Sequence, residues 1–167
     1  VSVMNRERVL DMCLSPLKQH YDYILIDCPP SLGMLTINAL SAADNILIPV
    51  QAQYLPAKGM TKLLNTIGKV RHQINPKVDI LGVAITLANM QTNLGKSTVE
   101  TIRENYGKHI KVFNSIIPIG VKAAEASVSG KSVYQHAKDS NVAKAYEDLT
   151  KEITKIERSK HKGTPER

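Results

Sequence analysis

Four short apolar runs alternate with longer amphipathic segments, and this alternation constrains the fold more than any other feature of the sequence. The runs lie at residues 21–27, 45–50, 78–87 and 111–117. A short, nearly continuous apolar run is typical of a strand buried on both faces, as in a parallel sheet. Strands that alternate with helices predict an α/β fold: a partial doubly wound, mainly parallel sheet with flanking helices.

The helices are predicted from apolar residues that recur at helical spacing. They are expected at residues 3–18, 34–43, 57–74, 93–106, 121–127 and 141–156. Pro29-Pro30 should end the first strand, because proline cannot donate to a ladder. The last residues are polar, so the sequence predicts one folded region at 1–158 and a frayed, disordered tail at 159–167.

Length and composition exclude several classes of protein. A chain of 167 residues with 43% hydrophobic and 22% charged residues is typical of one folded domain with a real core. No apolar run approaches the roughly 20 residues of a transmembrane helix, so no membrane span is expected. Cys13 and Cys28 have no partner at metal-ligand spacing, which favours a cytoplasmic protein without a zinc site. The net charge of +7 gives a modest tendency to bind polyanions.

The ends of the strands are the places to look for a ligand, because open α/β sheets bind ligands at the carboxyl ends of their strands. The apolar run Ile24-Leu25-Ile26 is followed by Asp27, which is therefore expected at the carboxyl end of a strand. In nucleotide hydrolases this is the Walker B arrangement, in which a carboxylate holds Mg²⁺ through a water molecule. The alternative is an aspartate that only caps the next turn or helix.

The residues around Asp27 carry a family resemblance. The segment 23–33, Tyr-Ile-Leu-Ile-Asp-Cys-Pro-Pro-Ser-Leu-Gly, closely resembles the Walker B segment of the ParA/Soj partitioning ATPases, which belong to the MinD-like, deviant Walker group. The resemblance extends in order and at family spacing over roughly residues 21–153. Its further pieces are residues 36–40, 42–44, 48–51, 82–86, 92–95, 117–118, 125–126, 129–131 and 143–146. It implies a fold like that of P-loop NTPases.

The resemblance also implies a function. Members of this family bind ATP and magnesium, dimerise with the nucleotide between the subunits, and coat DNA without sequence preference. A partition partner of the ParB/Spo type stimulates hydrolysis, and the cycle segregates plasmids or chromosomes. By resemblance Asp27 is the magnesium-side aspartate and Pro29 lies in the same nucleotide-binding segment, while Pro118, Ile119 and Gly120 lie near the adenine. The expected location is cytoplasmic and nucleoid-associated.

The phosphate-binding loop of the family is not found in this sequence. Gly95-Lys96-Ser97 and Gly130-Lys131-Ser132 match only the end of a Walker A pattern, and Met90 and Glu125 stand where its first glycine is needed. We interpret both as turns or helix starts. The chain is therefore expected to be the C-terminal portion of such an ATPase, without the Walker A region and without ATPase activity of its own.

The expected DNA contacts also depart from the family pattern. Related proteins tend to carry arginines at the positions of Gln91 and Ile119, where this sequence has no charge. Since phosphate contacts need cations, we assign DNA binding to Lys122, Lys58 and Lys62. Further candidates are Lys69, Arg71, Lys160 and Lys162. The alternative for each is an ordinary solvated side chain.

Two other functions remain open. The chain could be a short non-enzymatic module that binds and modulates full-length partition ATPase subunits or DNA. It could also be an unrelated doubly wound enzyme that uses Asp27 as an acid or metal ligand. That hypothesis ranks last, because no second carboxylate cluster or histidine partner supports it. Cys28 is interpreted as a buried packing residue rather than a nucleophile.

Overall fold

A computed structural model describes residues 5–52 and 57–162, with the side chains of residues 57, 58 and 160–162 left out of the description. The strands are β1 (Asn45–Gln51), β2 (Asp79–Ala88) and β3 (Val112–Pro118). The helices are α1 (Val9–Leu14), α2 (Met34–Ala42), α3 (Ala57–Gln73), α4 (Asn93–Tyr106), α5 (Val121–Val128), α6 (Val133–Ala137) and α7 (Asn141–Lys162). Short 3-10 turns at Arg6–Arg8 and Ser15–Gln19 flank α1.

The three strands form a parallel sheet in the order β1-β2-β3. Strands β2 and β3 are parallel, with Val83 opposite Val112 and Ala88 opposite Pro118. At the carboxyl end of β1 the Ala52 N–H donates to the Thr86 carbonyl at 2.8 Å. Each strand is followed by a helix, so the predicted α/β class with a parallel sheet and flanking helices is confirmed.

The chain divides into two compact units. Unit 1 takes the described residues within Val1–Ile46 and Pro56–Ile80, and unit 2 takes those within Leu47–Leu55 and Leu81–Arg167. Unit 2 holds nearly all of the sheet and a cluster of buried apolar residues. Its core residues are Leu81, Ala84, Phe113, Ile117, Val142 and Leu149. Helix α7 presents Val142 and Leu149 to this core, as its helical periodicity predicts.

Unit 1 is held together by two asparagine side chains as well as by apolar contacts. The Asn75 amide donates to three carbonyl oxygens at the carboxyl end of α2: Leu40 at 3.1 Å, Ser41 at 3.1 Å and Ala43 at 2.8 Å. Asn38 accepts a hydrogen bond from the Leu10 N–H at 3.1 Å and so joins α1 to α2. These bonds satisfy backbone groups that a helix end leaves without partners.

The predicted strand at residues 21–27 is wrong for this structure. Residues 21–33 contain no helix or strand, and Leu25 is 94% exposed. A strand forms only where a neighbouring strand takes up its backbone donors and acceptors. The sheet of the described residues consists of β1, β2 and β3, and none of them pairs with this segment. The apolar pattern is present, but its pairing partner is not among these strands.

Three other differences are local. The helix predicted at residues 3–18 is short and broken, and Pro16 lies in the first turn of the 3-10 helix that follows α1. Helix α6 was not predicted, although Ser132 and Gln135 form a capping box at its start. Helix α7 continues through Lys162, beyond the predicted helix end at residue 156. The domain boundary at residue 158 stays a prediction.

Candidate functional site

Asp27 is exposed and lies in the irregular segment that precedes α2. Helix α2 has Gly33 as its N-cap and no side-chain cap, so Asp27 does not cap this helix. Pro29, two residues further on, is also exposed. The structure therefore leaves the carboxylate of Asp27 accessible, as a ligand of a bound ion would have to be.

Cys28 next to Asp27 is exposed, so its interpretation as a buried packing residue is wrong. The segment that was expected to bury it does not join the sheet. Partial desolvation, and then the negative charge of Asp27, raise the pKa of the Cys28 thiol. A raised pKa keeps the thiol protonated near neutral pH, which makes Cys28 a poor nucleophile.

The donor set around Asp27 fits one part of a magnesium site. Within the part of the chain that the structure describes, no group of three or more His, Cys, Asp or Glu side chains could hold a metal ion. Mg²⁺ usually keeps several waters and is bound by one or two carboxylates together with the phosphates of a substrate. A single accessible carboxylate is compatible with that arrangement only if a nucleotide supplies the remaining oxygens.

The segment Pro118–Gly120 forms the carboxyl end of β3 and the start of α5. Pro118 lies opposite Ala88 in the ladder, and the Ile119 N–H donates to the Ala88 carbonyl at 3.2 Å. Gly120 is the N-cap of α5, and the Ile119 side chain is 50% exposed. The backbone here is fixed by the sheet, and an apolar side chain stands at the strand end.

The predicted site residues fall into two groups. Pro118, Ile119 and Gly120 lie together in unit 2, with Lys122 two residues further on. Asp27, Pro29 and Lys62 belong to unit 1. Lys58 lies in α3, and its side chain is outside the described part of the structure, as are those of Lys160 and Lys162.

Lys122 belongs to a small charged cluster that the sequence did not reveal. Its ammonium lies 2.8 Å from Glu125 Oε2, and His136 Nε2 lies 3.0 Å from the same oxygen. The hydrogen bond from His136, followed by that from Lys122, holds the pKa of Glu125 below its ordinary value. The spacing of Lys122 and Glu125 could have predicted their pair, but His136 reaches Glu125 from another helix.

The first sequence that resembles a phosphate loop serves as a helix start. The Gly95 N–H donates to Thr92 Oγ1 at 3.1 Å, and the Lys96 N–H donates to the Thr92 carbonyl at 3.2 Å. A Cβ at position 95 would collide with the Asn89 carbonyl oxygen. Glycine is needed here for packing against the chain, and the first N–H groups of α4 are occupied by its own cap.

The second such sequence is a helix end followed by another cap. Gly130 has φ 63°, and its N–H donates to the Ser127 carbonyl at 3.2 Å. This left-handed residue ends α5, as glycine commonly does. Ser132 then caps α6 by accepting from the Gln135 N–H at 3.1 Å. Both Gly-Lys-Ser sequences thus have structural roles that agree with their interpretation as turns and helix starts.

One strained residue lies at the strand ends and was not foreseen. Leu87 has φ 51°, a left-handed conformation that is rare for a residue with a branched side chain, and it is 38% exposed. The ladder between β2 and β3 is irregular at this point, between Ile85 and Ala88. No pattern in the sequence signals such strain, since alternation in a strand predicts only extended backbone.

Comparison with solved structures defines the class of protein. The fold matches cobyrinic acid a,c-diamide synthase from Mycobacterium smegmatis, solved with an ATP analogue and magnesium, with a TM-score of 0.72 and 30% identity over 86% of this chain and 51% of that one. It also matches the cell-division ATPase MinD from Pyrococcus furiosus, with a TM-score of 0.66 and 22% identity over 90% of this chain and 59% of that one. The second likeness shows the fold alone. The chain has the fold of MinD-like P-loop ATPases.

Sequence relatives show what the chain resembles. The sporulation initiation inhibitor protein Soj of Bacillus subtilis is 42% identical over 153 residues, which is 92% of this chain and 60% of that protein. The chromosome-partitioning ATPase Soj of Treponema pallidum is 39% identical over 92% of this chain and 60% of its own length. A family model described as an AAA domain matches residues 1–80. The chain is similar to these Soj proteins over about nine tenths of its own length, and it spans about 60% of theirs.

A search for membrane-crossing helices gives a negative result for residues 5–52 and 57–162: none of their helices combines the length and the apolar character that a bilayer span requires.

Proposed function

We propose that this chain is part of a ParA/Soj-type ATPase that acts in chromosome or plasmid partitioning, and that it supplies two elements of the nucleotide site. The observation that carries the proposal is the 42% identity with Soj of Bacillus subtilis across 92% of the chain. A match over 153 of the 167 residues is long enough to span both the aspartate segment and the strand-end segment.

The first element is the turn at Asp27. Its carboxylate would hold a magnesium ion through a water molecule, and the bound ion would neutralise charge on the nucleotide phosphates. Pro29 restricts the backbone just after the carboxylate, because its ring fixes φ near −65°. The exposure of Asp27 and of Pro29 supports this role, since both are accessible to a ligand.

The second element is the segment Pro118–Gly120, which we assign to the adenine. The half-exposed Ile119 side chain offers an apolar contact for a flat base. Its position is fixed by the hydrogen bond between the Ile119 N–H and the Ala88 carbonyl. A rigid strand end of this kind can orient a base without a large entropic cost on binding.

The chain by itself has no ATPase activity in this proposal. Hydrolysis needs a backbone cradle and a lysine on the phosphates, and the two Gly-Lys-Ser sequences that could be mistaken for them are helix caps. ATP-dependent dimerisation with nucleotide between subunits, and stimulation by a ParB/Spo-type partner, are proposed for the complete ATPase. So are non-specific DNA binding through Lys58, Lys62 and Lys122 and a cytoplasmic, nucleoid-associated location.

Calorimetry with Mg-ATP tests the nucleotide part of the proposal. We expect this chain to bind so weakly that the Kd exceeds about 1 mM, while the Treponema pallidum Soj ATPase, measured in parallel, shows a clear isotherm. Micromolar binding by the chain alone would refute the assignment. In that case the lysine variants K96Q and K131Q would show which segment holds the phosphates.

A second function is favoured by the apolar surface of unit 1. Leu25 is 94%, Leu35 73% and Met12 69% exposed, and exposed large apolar side chains can take part in binding a partner. Such a surface fits a short module that binds a full-length partition ATPase subunit and modulates it. Adding the chain to the Treponema pallidum Soj ATPase and measuring hydrolysis distinguishes the two, because a modulator changes the rate at stoichiometric amounts.

A further inference from the structure

The exposed face of α3 carries an unusual excess of positive charge. The helix runs from Ala57 to Gln73, and in these 17 residues it contains four lysines and arginines and no aspartate or glutamate. Helix α7, by contrast, mixes both signs along its length. A surface helix normally carries both signs, because acidic and basic side chains four residues apart stabilise it. An acid-free face therefore needs another explanation.

Two of the charged residues of α3, Lys62 and Lys69, lie on the same side of the helix. Ile67 and Val70 are buried at 4% and 3% exposure and mark the inner face. Lys62, Asn65 and Lys69 are all exposed. Their steps of three and four residues place them in one row on the outer face. The row from Lys62 to Lys69 is about 10 Å long, at 1.5 Å of rise per residue.

Ion pairing distinguishes the two lysines of this row from other basic residues. Among the described residues, neither Lys62 nor Lys69 has an ion pair with a carboxylate. Other basic residues near candidate contacts differ in this respect. Arg71 lies 3.5 Å from Asp79, and Lys122 lies 2.8 Å from Glu125. A cation that already has a carboxylate partner gains less from a phosphate, because the existing pair must be broken.

The dimensions of the row match a nucleic-acid backbone. One strand of duplex DNA rises by about 3.4 Å per phosphate, so about 10 Å corresponds to three phosphate steps. Two lysines at that separation can reach two phosphates of one strand, and the amide of Asn65 between them can donate to a phosphate or sugar oxygen. Asparagine and lysine side chains are common in such backbone contacts.

We propose that Lys62, Asn65 and Lys69 form the main phosphate-binding row of this chain and hold the backbone of one strand of duplex DNA. This inference rests on the proposed DNA binding and assigns its site. It moves the main contacts away from the strand ends, where Gln91 and Ile119 are uncharged and Lys122 is paired with Glu125. Contacts of this kind give affinity without sequence preference.

Fluorescence anisotropy with a labelled duplex of random sequence tests the site, measured at several salt concentrations. The double variant K62Q/K69Q should weaken binding at least tenfold at low salt. It should also reduce the slope of log K against log salt by about 1.8, since each phosphate contact contributes about 0.9. Both lysines are exposed, so the fold should be unchanged by circular dichroism.

The matched control is K18Q/K151Q, which removes the same net charge from two exposed lysines that have carboxylate partners at 3.1 Å and 2.9 Å. We expect the control to change affinity less than about twofold and to keep the salt slope. An equal loss in both double variants would overturn the inference, since net charge alone would then explain binding.

The remaining outcomes separate this inference from the proposal on which it rests. If the unaltered chain binds no duplex even at low salt, DNA binding by this chain is wrong and the site falls with it. If the chain binds DNA and K62Q/K69Q binds equally well, only the site is wrong. If only K122Q loses DNA binding, the contact lies at the strand end and the assigned row is wrong. If the unaltered chain binds no DNA but K62Q/K69Q loses binding to anionic lipid vesicles, the row binds a different polyanion and the inference is also wrong.

Discussion

The core of unit 2 and the residues before α2 in unit 1 bury their apolar side chains to very different degrees. In unit 2, Phe113, Ile85 and Ile102 are fully buried. In unit 1, Leu25 is 94% exposed and Met12 69% exposed. Both regions contain short apolar runs in the sequence. The difference shows that an apolar run favours burial, but that it becomes buried only where another segment packs against it.

The backbone N–H and carbonyl groups at the edge of the sheet give a second comparison. In unit 2, strand β3 lies at the edge of the sheet, and side chains of two helices cover its backbone. Arg103 donates to the Phe113 carbonyl at 3.1 Å, and Glu152 accepts from the N–H groups of Asn114 at 3.0 Å and Ser115 at 2.7 Å. Charged side chains at an edge discourage further strand pairing. Residues 21–27 of unit 1 form none of the strands of the described sheet.

The largest expected effect comes from the core of unit 2. Phe113→Ala removes a side chain with 0% exposure and should lower the free energy of unfolding by about 3–5 kcal/mol. Urea denaturation followed by circular dichroism measures the change. A loss below about 1 kcal/mol would mean that this core is looser than its burial indicates.

The next effect concerns the polar support of unit 1. Asn75→Ala leaves three carbonyl oxygens at the end of α2 without their donor and should cost about 2 kcal/mol. Asn105→Ala, at an exposed position of α4, is the matched control and should change stability by less than about 0.5 kcal/mol. Equal losses of stability in the two variants would show that the hydrogen bonds of Asn75 do not stabilise unit 1.

A smaller, pH-dependent effect tests the covered edge of β3. Burial alone raises the pKa of Glu152, but the Ser115 hydroxyl, the N–H groups of Asn114 and Ser115 and the charge of Lys111 outweigh it, so the pKa lies below its ordinary value. Stability from a lowered carboxyl pKa is present above the unfolded value of about 4.3 and is lost as the pH falls through the folded value.

Glu152→Gln should therefore lower the unfolding free energy by about 1 kcal/mol at pH 7, after allowance for solvent screening, and by less at pH 3. Urea denaturation at the two pH values measures this difference. The exposed Glu104→Gln serves as the control. A penalty that grows with acidification would contradict the assigned hydrogen bonds.

The smallest expected effect is at Leu25. Since its side chain is 94% exposed, Leu25→Ser should change the unfolding free energy by less than about 0.5 kcal/mol. Comparing this change in unfolding free energy with that of Phe113→Ala measures the difference between the exposed segment and the core of unit 2. A loss of about 2 kcal/mol or more at Leu25 would show that the segment packs against the rest of the molecule.

Local signals predicted most of the fold. Helix α4 begins at Asn93 and ends at Tyr106, as its apolar spacing indicates, and the strands from β1 onward lie within one or two residues of their predicted bounds. The segment 21–27 could not be predicted in the same way, because strand pairing depends on a partner distant in sequence. A missed signal was the capping box that begins α6.

The candidate site was predictable only in part. The sequence placed Asp27 after an apolar run and Pro118 at a strand end, and Pro118 is indeed the last residue of β3. Exposure of Asp27 and Cys28 followed from the missing strand pairing and could not be seen in the pattern. The contact between Glu125 and His136 depends on how α5 packs against α6, which no local spacing encodes.

Hydrogen exchange tests most directly the claim that the segment bearing Asp27 lies outside the sheet. The amides of Ile24, Leu25 and Ile26 should exchange at the earliest time points, while those of Val83 and Ile85 in the central strand should be protected until the sheet opens. Mass spectrometry of peptic peptides, or amide signals in NMR spectra, gives both rates on one sample. Similar protection in the two segments would contradict this account and restore the predicted strand.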